Sequence, residues 1–402
     1  MHIRVLTALA AVAPIFGSPL VAPRDAASEA AAQVSAIAQL AYNATLKDVD
    51  PASSKRSAGS CTLKNLQVRR EWNKLSSGDK KAYIKAVQCL QSKPSKTPAS
   101  VAPGAKTRYD DFVATHINQT LTIHYTGNFL SWHRYYTWLY GEALRNECGY
   151  TGTQPYWDWG LTAITGLEKS AIFDGSDTSM SGNGIYQGPR PDYALGASTG
   201  LPPLYLPAGT GGGCVTSGPF KNMKVNLGPV ALDLPGGAVG GDGPGTGLAY
   251  NPRCLSRDLK SAVVKKYANY TTILHNIISP SNVYDFQMEM QGVPGSGVLG
   301  IHGAGHYGSG GDPGDDVFVS PGDPVFYLHH AQIDRTWFLW QALHPGQAET
   351  IAGTNTFMNN PPSANTTLDD LVEFGYAAGP PRTIGDLLST VDGPFCYTYS
   401  DL

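Results

Sequence analysis

The ten histidines of this 402-residue chain are not scattered, and their placement constrains the fold more than any other feature. His2, His275 and His344 stand apart, while His116, His124 and His133 form one group and His302, His306, His329 and His330 a second. His302 and His306 (HGAGH) are four residues apart, so on a helix they share a face and can bind one metal together. His133 lies in NFLSWHRYYTWLYGEALRNE (residues 128–147), a helix-periodic stretch, beside Phe129, Trp132 and Tyr136 on the side expected to be buried. The stretch DPVFYLHHAQIDRTWFLWQ (323–341) would pass for a core helix but for the HH and DR in its middle. Successive helical residues point about 100° apart, so His329 and His330 cannot face the same way; His330 shares a face with Asp334, and His329 with Ile333. Two groups of three histidines with one to spare indicate two metal sites.

Ligand type narrows the metal. Di-iron bundles use several glutamates with few histidines, and a structural zinc in a secreted protein more often recruits cysteine or a carboxylate. Six neutral imidazoles without a carboxylate ligand suit copper, and a copper pair can share the electrons that dioxygen chemistry requires.

The stretches Tyr109–Trp159 and Gly300–Gln341 resemble the two copper-binding regions of the type 3 copper family of tyrosinases, catechol oxidases and haemocyanins. The resemblance runs from about residue 65 to 399 and is nearest to the short secreted fungal polyphenol oxidases. It implies one copper on His116, His124 and His133 and a second on His302, His306 and His330, with Asp334 as outer support one turn on and His329 facing elsewhere. It also implies that PYWDW (155–159) packs in the core, and that the tyrosine motif Tyr397-Thr398-Tyr399 closes the core against an N-terminal arginine, taken here as Arg70. Many fungal tyrosinases join a cysteine, two residues before the second histidine, to that histidine as a thioether; Thr122 stands there, so no crosslink is expected. The chain runs three residues past Tyr399, so no C-terminal lid domain is expected either.

The remaining sequence sets the envelope. A net charge of -3 and a pI of about 6.4 give no electrostatic case for nucleic acid or an anionic membrane as partner. An apolar stretch after Arg4, too short to span a bilayer, marks residues 1–18 as a signal peptide. Residues 19–56, ending at the dibasic pair Lys55-Arg56, are a candidate propeptide, which leaves 57–402 as a single copper domain. Six cysteines without a CxxC read as three disulfides in an oxidising compartment. Fifteen connectivities are open; our expectation pairs Cys61 with Cys396 across the chain ends, Cys89 with Cys148, and Cys214 with Cys254 across a glycine-rich loop. Sequons at Asn43, Asn118, Asn269 and Asn365 agree with a secreted glycoprotein.

Helical periodicity also marks 63–90 with a break at Ser76–Asp79, 109–116, 255–278 and 280–290, whereas 161–260 is dominated by glycine, proline and serine. The expected fold is mainly α: a central four-helix bundle holding a dicopper centre, with long irregular loops and a few short strands. The expected function is oxidation of o-diphenols, extending to o-aminophenols, to o-quinones with O2, weak on monophenols. The alternatives are a true tyrosinase and a haemocyanin-like oxygen carrier. Partners are then small phenols and O2, with the oligomeric state left open. Beyond the ligands, candidate site residues are Phe326 and Val317 as walls above the metals, Asp334, and Gly303 and Tyr307, which follow His302 and His306. In tyrosinases of the family a water held by a glutamate and by an asparagine after the first histidine of the second site assists monophenols. Gly303 occupies the asparagine's place, and FQMEMQG (286–292) offers Glu289 between Gln287 and Gln291 for the glutamate.

Overall fold

A computed structural model describes residues 25–50, 61–196, 202–234, 237–239 and 247–401. The candidate signal peptide and the Lys55-Arg56 pair lie outside them. The helices are α1 (Ala26–Val49), α2 (Ser77–Ser92), α3 (Arg108–Ile123), α4 (Phe129–Cys148), α5 (Trp159–Thr165), α6 (Ser261–Tyr267), α7 (Tyr270–Ile278), α8 (Val283–Gln291), α9 (Gly300–Ser309), α10 (Gly311–Gly314) and α11 (Val325–Leu343). The strands among the described residues are short and pair two by two. The fold is mainly α with long irregular connections, as expected.

Local chemistry explains the helices that matter. A capping box starts α3, Thr107 and Asp110 each satisfying the other's backbone N–H, and the helix runs on past the expected 109–116 to place His116 inside it and His124 at its end. Helix α4 stops at Gly149, in the left-handed region at φ 68°, with its N–H on the Arg145 carbonyl. Every residue of α11 from Val325 to Trp340 is buried, which makes it the central helix, buried all round. Helix α9 enters at Gly300, where φ is 72° and the backbone of Met290–Gly292 passes so close that a Cβ would overlap it. Helices α3, α4, α9 and α11 together surround the histidines.

Two segments depart from expectation. Leu63–Leu75, expected as helix, contains the strand Gln67–Arg70 and a 3-10 turn at Trp72–Lys74; helix begins only at Ser77, capped by Ser76. The cause is a distant partner: Gln67–Arg70 pairs in parallel with Tyr397–Ser400, with Arg69 opposite Tyr399. The other is α1, which lies within the candidate propeptide and for which no helix was expected. Its Ala30, Val34, Ala38 and Ala41 form a buried stripe packed on α7, α11 and the C-terminal strand.

The three disulfides are those expected: Cys61–Cys396 beside the parallel strand pair, Cys89–Cys148 joining α2 to the end of α4, and Cys214–Cys254 within the glycine-rich region. Among the described residues no helix is long and apolar enough to cross a membrane.

Candidate metal centre

The first group takes His116 from within α3, His124 from its C-terminal cap and His133 from α4, with ligand atoms within 4.8 Å of one another. Each ring is held through Nδ1 by a backbone carbonyl: Phe318 for His116 at 2.8 Å, Thr120 for His124 at 2.9 Å and Phe129 for His133 at 2.8 Å. A carbonyl only accepts, so Nδ1 carries the proton and the lone pair lies on Nε2. The Nε2 atoms of His116 and His133 are buried with no partner. Buried acceptors without partners are costly unless a cation meets them. For His124 the Thr120 carbonyl supplies the fixing that a thioether would, while the Thr122 hydroxyl turns outward to the Gln119 carbonyl at 2.9 Å.

In the second group the Nε2 atoms of His302 and His306 lie 3.2 Å apart, and those of His306 and His330 3.3 Å apart. His329 falls within the same cluster by distance. Its ring differs in proton placement: Nδ1 accepts the indole N–H of Trp159 at 3.1 Å, so the proton of neutral His329 sits on Nε2 and no lone pair is left for a metal. The ring instead lies nearly parallel to His302, with centroids 5.6 Å apart, and occupies the space where a Cβ on Gly305 would be. The two groups abut, with the rings of His133 and His330 stacked at 4.5 Å. Burial, assisted by neighbouring imidazoles, holds His116, His133, His302 and His330 far below the usual histidine pKa. Burial also takes His124 down to about 4 and His306 to about 3. All six rings are therefore neutral near pH 7, the form in which an imidazole can bind a metal. Neither group contains a carboxylate, and this all-imidazole set fits copper.

Asp334 does not touch His330. Its carboxylate accepts from Arg134 at 2.5 Å, Tyr399 at 2.5 Å, Tyr397 at 2.6 Å and Arg69 at 3.2 Å. The support it gives is to the scaffold, because Arg134 follows His133 on α4 and Asp334 lies one turn beyond His330 on α11. The arginine of the tyrosine motif is Arg69, not Arg70: it donates to the Tyr399 hydroxyl at 2.9 Å and lies 3.6 Å above the Tyr397 ring. Strand alternation decides this, turning Arg69 inward and leaving Arg70 exposed.

Phe326 is 2 % exposed, stacks on His330 at 4.1 Å and meets His116 edge-on at 5.5 Å. It is packed among the ligands rather than offering a free face above them. Val317 is half-buried, one residue before the carbonyl that holds His116. Tyr307 is half-buried against Tyr193, with ring centroids 5.6 Å apart. Gly303 is buried, and a Cβ there would meet the Leu299 side chain at 2.8 Å. Glu289 turns to His275 at 2.7 Å, whereas Gln291 is buried, its side-chain carbonyl accepting the Tyr125 N–H at 2.8 Å. Gln287 donates to the Ala352 carbonyl at 2.5 Å. Sequence reasoning missed the part of Trp159, because PYWDW reads as packing, and of Arg134, although a cation beside His133 in the aromatic first half of a helix was a usable signal.

Residues 106–343 match the tyrosinase family in the region described as the common central domain of tyrosinase. Tyrosinase P of Aspergillus terreus is 40% identical over 335 residues, covering 83% of this chain and 92% of that one. The N-acetyl-6-hydroxytryptophan oxidase ivoB of Emericella nidulans is 39% identical over 355 residues, covering 84% and 93%. Among solved structures, a glycine-to-asparagine mutant of a polyphenol oxidase from Thermothelomyces thermophila superposes with a TM-score of 0.84 at 44% identity, covering 93% of this chain and 98% of that one. The chain belongs to the tyrosinase family, and its two histidine groups could hold that family's type 3 dicopper centre.

Proposed function

We propose that the chain is a secreted oxidase that converts o-diphenols, and o-aminophenols as a further class, to o-quinones with O2, and acts weakly on monophenols. His116, His124 and His133 hold one copper, and His302, His306 and His330 the other. When bound, the copper pair supplies two-electron redox chemistry between phenol and O2 and lowers the pKa of a hydroxyl that coordinates it. The protein's share is to present six neutral imidazoles with their lone pairs inward, each ring of the first group fixed by a carbonyl, and to wall the metals off from water on the protein side.

The observation that carries the substrate preference is that neither Gly303 nor Glu289, nor the side-chain carbonyl of Gln291, is placed to hold a proton-accepting water. A monophenol has a pKa near 10 and gains from a positioned base, whereas a catechol needs little help. Gly303 has no side chain, and Leu299 fills the space beside it. Glu289 faces His275, and the side-chain carbonyl of Gln291 is committed to Tyr125. Three disulfides, together with exposed Asn43, Asn118 and Asn365, support a secreted protein.

A panel of matched monophenols, catechols and o-aminophenols tests the reading, with hydroxyindoles added because one relative is named for such a substrate. Catechols should react fastest, and Gly303→Asn should raise the monophenol-to-diphenol rate ratio, provided Leu299 gives way. Hydroxylation of tyramine as fast as oxidation of its catechol would make the protein a true tyrosinase, in line with the name of another relative. Reversible O2 binding with catechol untouched would make it a carrier.

A further inference from the structure

Helix α4 turns His133 toward the metals and, on its far side, turns Tyr135 and Trp138 into a cleft of 490 Å³. Tyr376, Arg382, Lys96 and Glu147 also line it, together with Glu142, which is paired with Arg145. This volume is in the range of small-molecule sites. The rings of Tyr135 and Trp138 lie 5.8 Å apart and within 25° of parallel; Tyr135 is fully buried, but Trp138 is half-buried and Tyr376 is 50% exposed, so these two offer aromatic surface to the cleft.

The charges are unevenly satisfied. Glu147 is shared between Arg108 at 3.0 Å and Lys96 at 3.1 Å. Arg382 forms no ion pair among the described residues; its guanidinium interacts with the Tyr135 hydroxyl, a neutral partner, while its Nε–H is shielded from water without an acceptor. A guanidinium N–H left in that state is costly, and its planar fork matches a carboxylate. Nothing in the phenol oxidation uses these groups.

We propose that this cleft is a second binding site, taking a small aromatic carboxylate with its ring along Trp138 and Tyr376 and its anionic end on Arg382. A neutral phenol would leave the guanidinium without a counter-charge, and an aliphatic acid would leave the rings uncovered. Because the opposite face of the same helix carries His133, the site is physically separate from the metals.

Calorimetric titration of the copper-loaded protein with benzoate, and with benzamide as the uncharged isostere, tests this. Benzoate can also reach the copper centre, so the cleft is read from the difference between wild type and the variants Arg382→Gln and Tyr376→Ala. The second variant alters an exposed side chain and guards against a folding defect in the first. Both should bind benzoate at this site at least about tenfold more weakly, with kcat and KM for catechol unchanged, and benzamide should not bind there. Equal benzoate affinity in wild type and both variants, or a single binding event that catechol displaces, overturns the proposal.

Discussion

The difference between His329 and His330 rests on one proton. Both are buried in the same helix, yet the Trp159 indole takes the Nδ1 lone pair of His329, while the Nε2 of His330 meets that of His306. His330→Ala should therefore lose about half the copper or more by elemental analysis, since an opened coordination position weakens the whole site. His329→Ala should keep both ions and instead lower the melting temperature, because the buried Trp159 N–H loses its acceptor at a cost of about 1–3 kcal/mol. Full copper in the first variant and loss in the second would reverse the assignment. A similar distinction applies to the sequons. Asn269 caps α7, its oxygen taking the Thr272 N–H and its amide donating to the Lys265 carbonyl at 2.9 Å, whereas Asn43, Asn118 and Asn365 are exposed. Glycopeptide mass spectrometry of secreted protein should find glycan at those three and little at Asn269.

Helices α4 and α11 carry histidines of the two different groups, His133 and His330, and Asp334 ties them together by way of Arg134 while Arg69 and the two tyrosines bring in the terminal strands. Burial alone would raise the Asp334 carboxyl, but Arg134 and Arg69 hold it below the usual value. Its stabilisation is thus present above the ordinary carboxylate pKa and is lost as pH falls through the folded one. Asp334→Ala leaves buried guanidinium charge unpaired and should cost about 3–5 kcal/mol in denaturant unfolding. Helix α1 is a second case: a dispensable leader would leave the domain unaffected when removed, but its buried stripe covers α7 and α11, so deleting residues 25–50 should lower the melting temperature and expose apolar surface to a dye. These elements also show what was legible in the sequence. The helices α4 and α11 were, because aromatic periodicity is local, and so were the histidine groups, because the spacing in HGAGH and the burial of His133 are local too. The strand Gln67–Arg70 was not, since its partner lies at the other end of the chain, and a one-residue error there made Arg70 of what is Arg69. The packing of Gly305 on His329 and the turning away of Glu289 depend on neighbours that only the fold supplies.

At the scale of the whole molecule, the seam where the N-terminal strand, the PYWDW segment and the C-terminus meet holds its carboxylates in contrasting states. Asp401 is fully paired, accepting both Arg335 at 2.6 Å and the Tyr156 hydroxyl at 2.8 Å. Glu71, bridged to Tyr156 in the backbone, has no cation; burial, and then the nearby Asp158, push its carboxyl from 4.5 up to about 7. Below about pH 4.5 the folded and unfolded chains both carry this proton. As pH rises the unfolded chain releases it first, so Glu71 contributes stability that is lost as pH climbs through about 7. The histidine ligands also titrate and depend on copper, so total stability against pH would mix the two effects. A comparison with Glu71→Gln removes the mixture, because every other group is common to both proteins. Glutamine keeps one of the two bonds to Asn73 and loses the other, a cost that does not change with pH. The difference in unfolding free energy between wild type and variant should therefore favour wild type near pH 4.5 and shift toward the variant by up to about 3 kcal/mol by pH 8. A difference that stays flat from pH 4.5 to 8 would show that Glu71 has an ordinary pKa and that the seam carries no buried proton.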